Sequence, residues 1–207
     1  MKNELSVIVF DLGNVLIPYD YKIAVRKLEK IEQGLGNRFI KFYNDNYQYH
    51  RAFERGDLPE DRFIEIMLAA IKHKIDHKTF CEYYSDIFSV NKEVVDLLPK
   101  LKKTFTLVLL SNTNIIHYEY GWKHFDFLRY FDNIVVSYEA GAVKPEEKIY
   151  KAVETITKKK PGEHFFIDDI QLYVDAAMEL GWNGTRFAGY KSLLIELINR
   201  GILNYRD

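Results

Sequence analysis

The 207-residue sequence is short of the features that mark disulfide-built, membrane-spanning and nucleic-acid-binding chains. It has one cysteine, Cys81, so no disulfide can form within the chain. No apolar run approaches the roughly 20 residues of a membrane-spanning helix, and the first residues lack a signal-peptide pattern. The formal net charge of −1 leaves no bulk field to attract nucleic acid or an anionic membrane. We therefore expect a soluble, cytoplasmic protein that binds neither nucleic acid nor membrane.

What the sequence does have is a set of apolar segments that end in polar side chains. Hydrophobic residues make up 47% of the chain, which is enough for a full core. Residues 5–10 are followed by Asp11, residues 107–110 by Ser111, and residues 165–167 by Asp168 and Asp169. Open α/β sheets bind their ligands at the carboxyl ends of such strands. The alternation of strand and helix after residue 105 predicts an α/β fold with a doubly wound parallel sheet.

These residue types together predict a site for a phosphate group and a metal ion. Phosphoryl transfer needs positioning and charge neutralisation, and a carboxylate can serve as the phosphoryl acceptor. Asp11 is the candidate acceptor, although an aspartate at a strand end is often only a turn residue. Lys144, just before a predicted helix, would supply a cation. Mg²⁺ would bridge the carboxylate and the phosphate, which otherwise repel each other.

The segments FDLGNV, LSNTN, VKPE and FIDD, in this order, resemble the haloacid dehalogenase superfamily of aspartate-nucleophile hydrolases. Together with FERGDL at residues 53–58, they look most like the branch that holds α-D-glucose-1-phosphate phosphatase. The resemblance implies that residues 1–17 and 93–207 form an α/β core domain and that residues 18–92 form a helical cap. Apolar stripes at helical spacing in the long gap between the first two strands independently predict an inserted helical bundle.

The resemblance also implies a role for each matched residue. Asp11 would be the nucleophile and Lys144 its catalytic partner, while Ser111 and Asn112 would bind the substrate phosphate. The implied Mg²⁺ ligands are Asp11, the carbonyl group of Gly13, Asp169, and Asp168 as a second ligand or an outer partner. Tyr173 stands where many relatives carry Asn or Asp. The acidic pair could alternatively only cap the next helix, although capping and metal binding are compatible.

Gly13 departs from the family pattern, because many family phosphatases carry a second aspartate there as general acid and base. General acid–base catalysis typically raises the rate by about 10²–10⁴-fold. We therefore expect a slow enzyme unless Asp20 or His50 replaces the missing aspartate. Both have simpler interpretations, as a helix cap and a surface helix residue. Without a proton donor, substrates with better leaving groups should be preferred. The anomeric oxygen of a sugar is a better leaving group than a primary alkoxide, so we expect sugar 1-phosphates to be preferred over 6-phosphates.

Substrate choice is expected to lie with the cap. His50 and Arg55, near Glu54 and the Gly56 turn, could bind sugar hydroxyls, or they could lie in a solvated loop. The aromatic stripes around them are predicted to be core. We predict a Mg²⁺-dependent phosphomonoesterase, monomeric or homodimeric, that acts on a small phosphate ester. The alternatives are a 2-haloacid dehalogenase, against which the pair of aspartates counts, and a catalytically weak phosphometabolite-binding domain.

Overall fold

We describe residues 5–204 of the chain from a computed structural model. Its centre is a sheet of five parallel strands in the order β3-β2-β1-β4-β5. The strands are β1 Val7–Phe10, β2 Thr106–Ser111, β3 Asn133–Val136, β4 His164–Asp168 and β5 Asn183–Arg186. The predicted doubly wound parallel sheet is confirmed.

Strand β1 lies at the middle of the sheet, and its position creates the crevice of the site. It pairs with β2 on one side and with β4 on the other, so the strand order reverses there. Phe10 lies opposite Leu109 in one ladder and Ile167 in the other. The residues after Phe10 and Ile167, which are Asp11 and Asp168, therefore meet at the carboxyl edge of the sheet, where α/β folds bind ligands.

Seven helices lie between β1 and β2, and the first five of them pack together as an insert. These five are α1 Lys22–Ile31, α2 Leu35–Asp45, α3 Tyr47–Arg55, α4 Glu60–Ala70 and α5 His77–Ser85. Their inward side chains form an apolar cluster of their own, in which Phe53 stacks on Phe63 with ring centroids 4.3 Å apart. A separate core is what a helical bundle needs to fold over the sheet. We call these helices the cap; the limits of residues 18 and 92 stay a prediction.

The remaining helices cover the two faces of the sheet. They are α6 Lys92–Val95, α7 Leu98–Leu101, α8 Ser137–Ala140, α9 Glu147–Thr157, α10 Gln171–Glu179 and α11 Tyr190–Asn199, with short 3₁₀ helices at Asp126–Tyr130 and Pro161–Glu163. Two apolar clusters, one on each face, bury all of β1. Within residues 5–204, no helix combines the length and the apolar character that crossing a membrane requires.

The segment that follows β2 does not form a regular α-helix. It forms a π-helix at His117–Trp122, followed by the 3₁₀ helix at Asp126–Tyr130. A Cβ atom on Gly121 would lie 2.7 Å from the ring of Phe88, so glycine allows this wide turn to rest directly on that ring. A search for the ordinary helical period does not detect such a turn.

The helix predicted after Lys144 is α9, which begins at Glu147 because Glu146 still has an extended backbone with φ −66° and ψ 134°. Lys144 therefore lies in the loop that precedes this helix. Strand β5 pairs with β4 at the edge of the sheet.

Candidate active site

The centre of the site is a buried lysine between two carboxylates. Lys144 Nζ lies 2.6 Å from Asp11 Oδ1 and 2.6 Å from Asp168 Oδ2. It also donates to the carbonyl oxygen of Leu110 at 3.3 Å. Lys144 is 1% exposed and Asp168 is fully buried, so little water screens the charges. Burial favours neutral lysine, but Asp11 and Asp168 outweigh it and raise the pKa of Lys144.

Asn112 holds the main chain of Lys144 in place. Its Oδ1 accepts from Lys144 N at 2.8 Å, and its Nδ2 donates to Lys144 O at 3.2 Å. The neighbouring Ser111 is buried beside the same cavity, and its Oγ contacts Asn112 O at 3.4 Å. The Asn112 side chain thus orients the lysine, a role that the sequence did not predict. Phosphate binding by Ser111 and Asn112 stays a prediction.

Three carboxylates converge at the crevice. Asp11, Asp168 and Asp169 each offer an oxygen atom, and these atoms lie within 4.8 Å of one another. Asp169 Oδ2 accepts from Asn14 Nδ2 at 3.1 Å, and the backbone of Asn14 is left-handed, with φ 55°. Clustered oxygen donors suit Mg²⁺, which binds through carboxylates and water.

The three aspartates are not equivalent. Both oxygens of Asp168 are engaged, since Oδ1 accepts from Ile170 N at 2.8 Å and Oδ2 accepts from Lys144. Asp169 is half-buried and lines the cavity together with Asp11 and Gly13. These contacts favour Asp11 and Asp169 as ligands of a metal ion, with Asp168 as the outer partner that orients Lys144.

Burial dominates the electrostatics of Asp11. It raises the pKa of the Asp11 carboxyl to about 7; Lys144 opposes the rise, and Asp168 and Asp169 add to it. The ionised form of Asp11 is therefore costly in the absence of a further cation. A divalent ion beside Asp169 would favour the ionised form of Asp11, because opposite charges attract most strongly in a buried site.

The cap side of the cavity carries a second charged group. His50 Nε2 lies 3.1 Å from Glu54 Oε1, and Arg51 Nη1 lies 3.0 Å from Glu54 Oε2. The other ring nitrogen of His50 contacts Tyr84 Oη at 2.9 Å. Arg51 Nη2 also donates to Lys144 O at 3.4 Å. His50 thus lies at the cavity as predicted, and Arg51 links the cap to Lys144.

The cavity has a volume of about 330 Å³, and aromatic residues form much of its wall. Tyr43 and Tyr47 come from the cap helices, and the segments that flank the cap contribute Tyr19, Tyr21 and Phe88. The core contributes His117 and Tyr173. The cap aromatic stripes pack mainly in the cap core, as predicted, and Tyr43 both packs there and lines the cavity. His117 was missed because it begins the π-helix.

Two residues singled out from the sequence lie away from the cavity. Arg55 pairs with Glu146 and, at 3.1 Å, with Asp57, and its side chain does not line the cavity. The prediction that Arg55 binds substrate is not supported, because Arg55 is the last residue of α3 and contacts the core instead. Asp20 is exposed and accepts from Lys22 N at 2.9 Å at the start of α1, outside the cavity.

The tight turn after Arg55 also joins the cap to the core. A Cβ atom on Gly56 would lie 2.5 Å from Tyr138 O, and its φ is +83°, so only glycine fits. Ser137 Oγ donates to Thr113 O at 2.9 Å and contacts Glu54 O. The FERGDL segment, residues 53–58, therefore joins the cap to the core. Of its side chains, only that of Glu54 lines the cavity.

Comparison with known proteins places this geometry in a family. The haloacid dehalogenase-like hydrolases match residues 5–179. The D-ribitol-5-phosphate phosphatase of Bacteroides thetaiotaomicron is 26% identical over 185 residues, which cover 84% of this chain and 88% of that protein. A crystal structure of a haloacid dehalogenase-family enzyme from the same organism has a TM-score of 0.79 at 27% identity, and the match covers 93% of this chain and 99% of the other.

A second crystal structure shows the wild-type form of that enzyme in complex with magnesium and inorganic phosphate. It has a TM-score of 0.73 at 26% identity, and the match covers 88% of this chain and 93% of the other. The family match includes Asp11, Ser111, Lys144 and both aspartates of the pair at the end of β4. The chain belongs to the haloacid dehalogenase-like hydrolases.

Proposed function

We propose that the protein is a Mg²⁺-dependent phosphomonoesterase that uses Asp11 as its nucleophile. One observation carries this proposal. The Asp11 carboxylate lies at the carboxyl edge of the central strand, in a cavity, with Lys144 Nζ at 2.6 Å and an Asp169 oxygen within 4.8 Å. This arrangement joins a nucleophile, a fixed cation and oxygen ligands for a metal ion, which are the parts that phosphoryl transfer needs.

The reaction divides into two displacements at phosphorus. An Asp11 carboxylate oxygen attacks the phosphorus atom, the bond to the ester oxygen breaks, and the leaving alkoxide takes up a proton from solvent water. Water then attacks the aspartyl phosphate, releases inorganic phosphate and restores the carboxylate. Lys144 keeps its charge throughout and holds Asp11 in position, because Asp168 fixes it from the other side. Mg²⁺ held by Asp11, Asp169 and the carbonyl of Gly13 would neutralise the phosphate charge.

The substrate is a small phosphate ester, most simply a sugar or sugar-alcohol phosphate. A cavity of about 330 Å³ lies at the lower end of the range for small-molecule sites. The relative named as a D-ribitol-5-phosphate phosphatase supports this class. Within it, Gly13 favours sugar 1-phosphates over 6-phosphates, because an anomeric oxygen leaves more easily without proton help.

Phosphate release from a panel of metabolites, with and without Mg²⁺, tests the proposal. We expect release from sugar phosphates that depends on the metal ion and stops on chelation. Metal-independent release of halide from 2-haloacids, with no phosphate release, would instead support the dehalogenase alternative. Phosphate esters that bind without turnover, with and without Mg²⁺, would indicate a binding domain.

A further inference from the structure

The cap side of the cavity contains a charged centre that the proposed reaction does not use. The side chain of Glu54 is 10% exposed and faces the cavity that contains Asp11. Burial alone would raise the pKa of this carboxyl, but His50 and Arg51 outweigh burial, so its pKa lies below the ordinary value. Glu54 is therefore ionised at neutral pH. A buried carboxylate costs stability unless it is paired, and a cavity-facing one invites a functional explanation.

Glu54 retains hydrogen-bonding capacity that its two partners do not use. Its two oxygens have about four acceptor positions in total. His50 Nε2 occupies one position on Oε1, and Arg51 Nη1 occupies one on Oε2. Each oxygen can thus still accept a hydrogen bond from a group inside the cavity. The two partners also fix the rotamer of Glu54, so a ligand finds the carboxylate already oriented.

Tyrosine hydroxyl groups surround this carboxylate and extend the polar wall. Tyr43 Oη donates to Tyr21 Oη at 3.3 Å, and Tyr47 lies beside them at the cavity. Burial and the charge of Glu54 raise the pKa of Tyr47 to about 12, so its hydroxyl stays neutral at physiological pH. The wall therefore has one anionic acceptor among neutral hydroxyls that can both donate and accept.

The charge of this wall discriminates between classes of leaving group. A carboxylate or a second phosphate on the substrate would face the ionised Glu54 in a poorly screened cavity, which costs binding energy. A purely apolar group would leave the open positions on Glu54 without a donor. A neutral group with several hydroxyls avoids both costs and can rest its C–H faces on the tyrosine rings.

We propose that Glu54, oriented by His50 and Arg51, selects a neutral polyhydroxylated leaving group by accepting hydrogen bonds from its hydroxyls. This inference rests on the proposed phosphomonoesterase function and defines the substrate class of the same site. Arg51 connects the two halves of the cavity, because it holds Glu54 and also donates to Lys144 O at 3.4 Å. A leaving group seated on Glu54 is thereby tied to the position of the catalytic lysine.

The wild-type protein with Mg²⁺ provides the first test, with three substrates of matched length. Ribitol 5-phosphate has four free hydroxyls, pentyl phosphate has none, and ribonate 5-phosphate replaces the terminal CH₂OH with a carboxylate. We expect kcat/KM for ribitol 5-phosphate to exceed each of the others by about tenfold or more, since a site that hydrogen-bonds hydroxyls rejects analogues without them. Equal kcat/KM values for the three substrates would overturn the inference.

The second test is Glu54→Gln, which keeps the size of the side chain and removes its charge. We expect the ratio of kcat/KM for ribitol 5-phosphate to that for ribonate 5-phosphate to fall about tenfold or more. The change should lie mainly in KM for the polyol ester. Glu65→Gln is the matched control, because Glu65 is an exposed residue of α4 outside the cavity, and its ratio should equal that of the wild type.

The outcomes separate this inference from the proposed function. If the wild type releases no phosphate from any ester, the proposed function fails. If it hydrolyses phosphate esters but Glu54→Gln, verified as folded by circular dichroism, keeps the wild-type ratio, the role of Glu54 fails alone. If Glu54→Gln does not fold, the three-substrate comparison on the wild type still decides.

Discussion

The two walls of the cavity are built in different ways. On the core side, Asp11 and Asp168 stand at the ends of neighbouring strands, and the hydrogen-bond ladder fixes the spacing between them. Lys144 Nζ lies 2.6 Å from each of the two carboxylates. On the cap side, Glu54 and Arg51 project from one short helix whose position depends on packing against the core. On the proposed function, the core wall carries out phosphoryl transfer and the cap wall selects the substrate.

The largest expected effect comes from a substitution in the core wall. Asp11→Asn removes the nucleophilic oxygen but keeps the size of the side chain, so turnover should fall by about a thousandfold or more, as losses of covalent nucleophiles do. Phosphate release under saturating sugar phosphate and Mg²⁺ measures it. Glu65→Gln on the cap should retain wild-type turnover. Turnover near the wild-type level in folded Asp11→Asn protein would refute the mechanism.

The core wall could be predicted from the sequence because the topology of the sheet determines where its polar side chains lie. Parallel strands bring their carboxyl ends to one edge, so a polar residue after each apolar run identifies the site without knowledge of side-chain packing. Asp11, Ser111 and the aspartate pair were found in this way. The contact between Asn112 and Lys144 was not, because it depends on two hydrogen bonds from the Asn112 side chain to the main chain of a residue 32 positions away.

The cap wall could be predicted only in outline. Periodicity indicated the helices, but it does not give the angle at which a helix meets the core. Arg51 and Arg55 are four residues apart on α3, yet only Arg51 lines the cavity, because the chain turns at Gly56 and Arg55 reaches Glu146. His117 was missed for a related reason, since a π-helix has no simple sequence period.

The second prediction concerns the proton transfer that the core wall lacks. Gly13 lies outside the left-handed backbone region, and a Cβ atom there would meet only the ring of Tyr19, at an ordinary 3.4 Å. Gly13→Asp should therefore fit and supply a general acid and base, raising the steady-state rate on a sugar 6-phosphate by about tenfold or more. Gly13→Asn, which cannot transfer a proton, is the matched control.

Rapid-quench kinetics can show which of the two displacements limits turnover. In the wild type, no aspartate at position 13 activates the water that attacks the aspartyl phosphate. A good substrate such as glucose 1-phosphate should therefore give a burst of up to one equivalent, followed by slow turnover. The burst should shrink in Gly13→Asp. A linear wild-type time course, with equal rates for glucose 1-phosphate and glucose 6-phosphate, would mean that another group transfers the proton, and His50 would be the first to test.

The third prediction concerns the stability cost of the core wall. The pKa of Asp11 is raised to about 7 from 3.8, so the folded protein binds more protons than the unfolded chain between these values. This carboxyl therefore lowers the free energy of unfolding as pH rises through that window. Without metal, Asp11→Asn should melt several degrees above the wild type at pH 8, with a smaller difference at pH 5.

Metal binding gives the control for this prediction. Mg²⁺ should raise the melting temperature of the wild type at pH 8, because it neutralises the repulsion between Asp11 and Asp169. The increase should be smaller at pH 5, where protons compete for Asp11, and smaller in Asp11→Asn. A melting-temperature difference between wild type and Asp11→Asn that does not change with pH would contradict the burial argument.

The smallest expected effect separates the two arginines of α3. Arg51→Gln removes the contacts to Glu54 and to Lys144 O, so KM for a sugar phosphate should rise severalfold. Arg55→Gln removes an ion pair with Glu146 in which the arginine side chain is 37% exposed, and such pairs contribute about 1 kcal/mol or less. Its KM should stay within about twofold of the wild type, with a melting temperature lower by about 2–4 °C at most. Steady-state kinetics and thermal melts of both variants measure this. A rise in KM as large in Arg55→Gln as in Arg51→Gln would show that the substrate also reaches the turn at Gly56. The cap wall of the substrate site would then include Arg55 as well as Arg51.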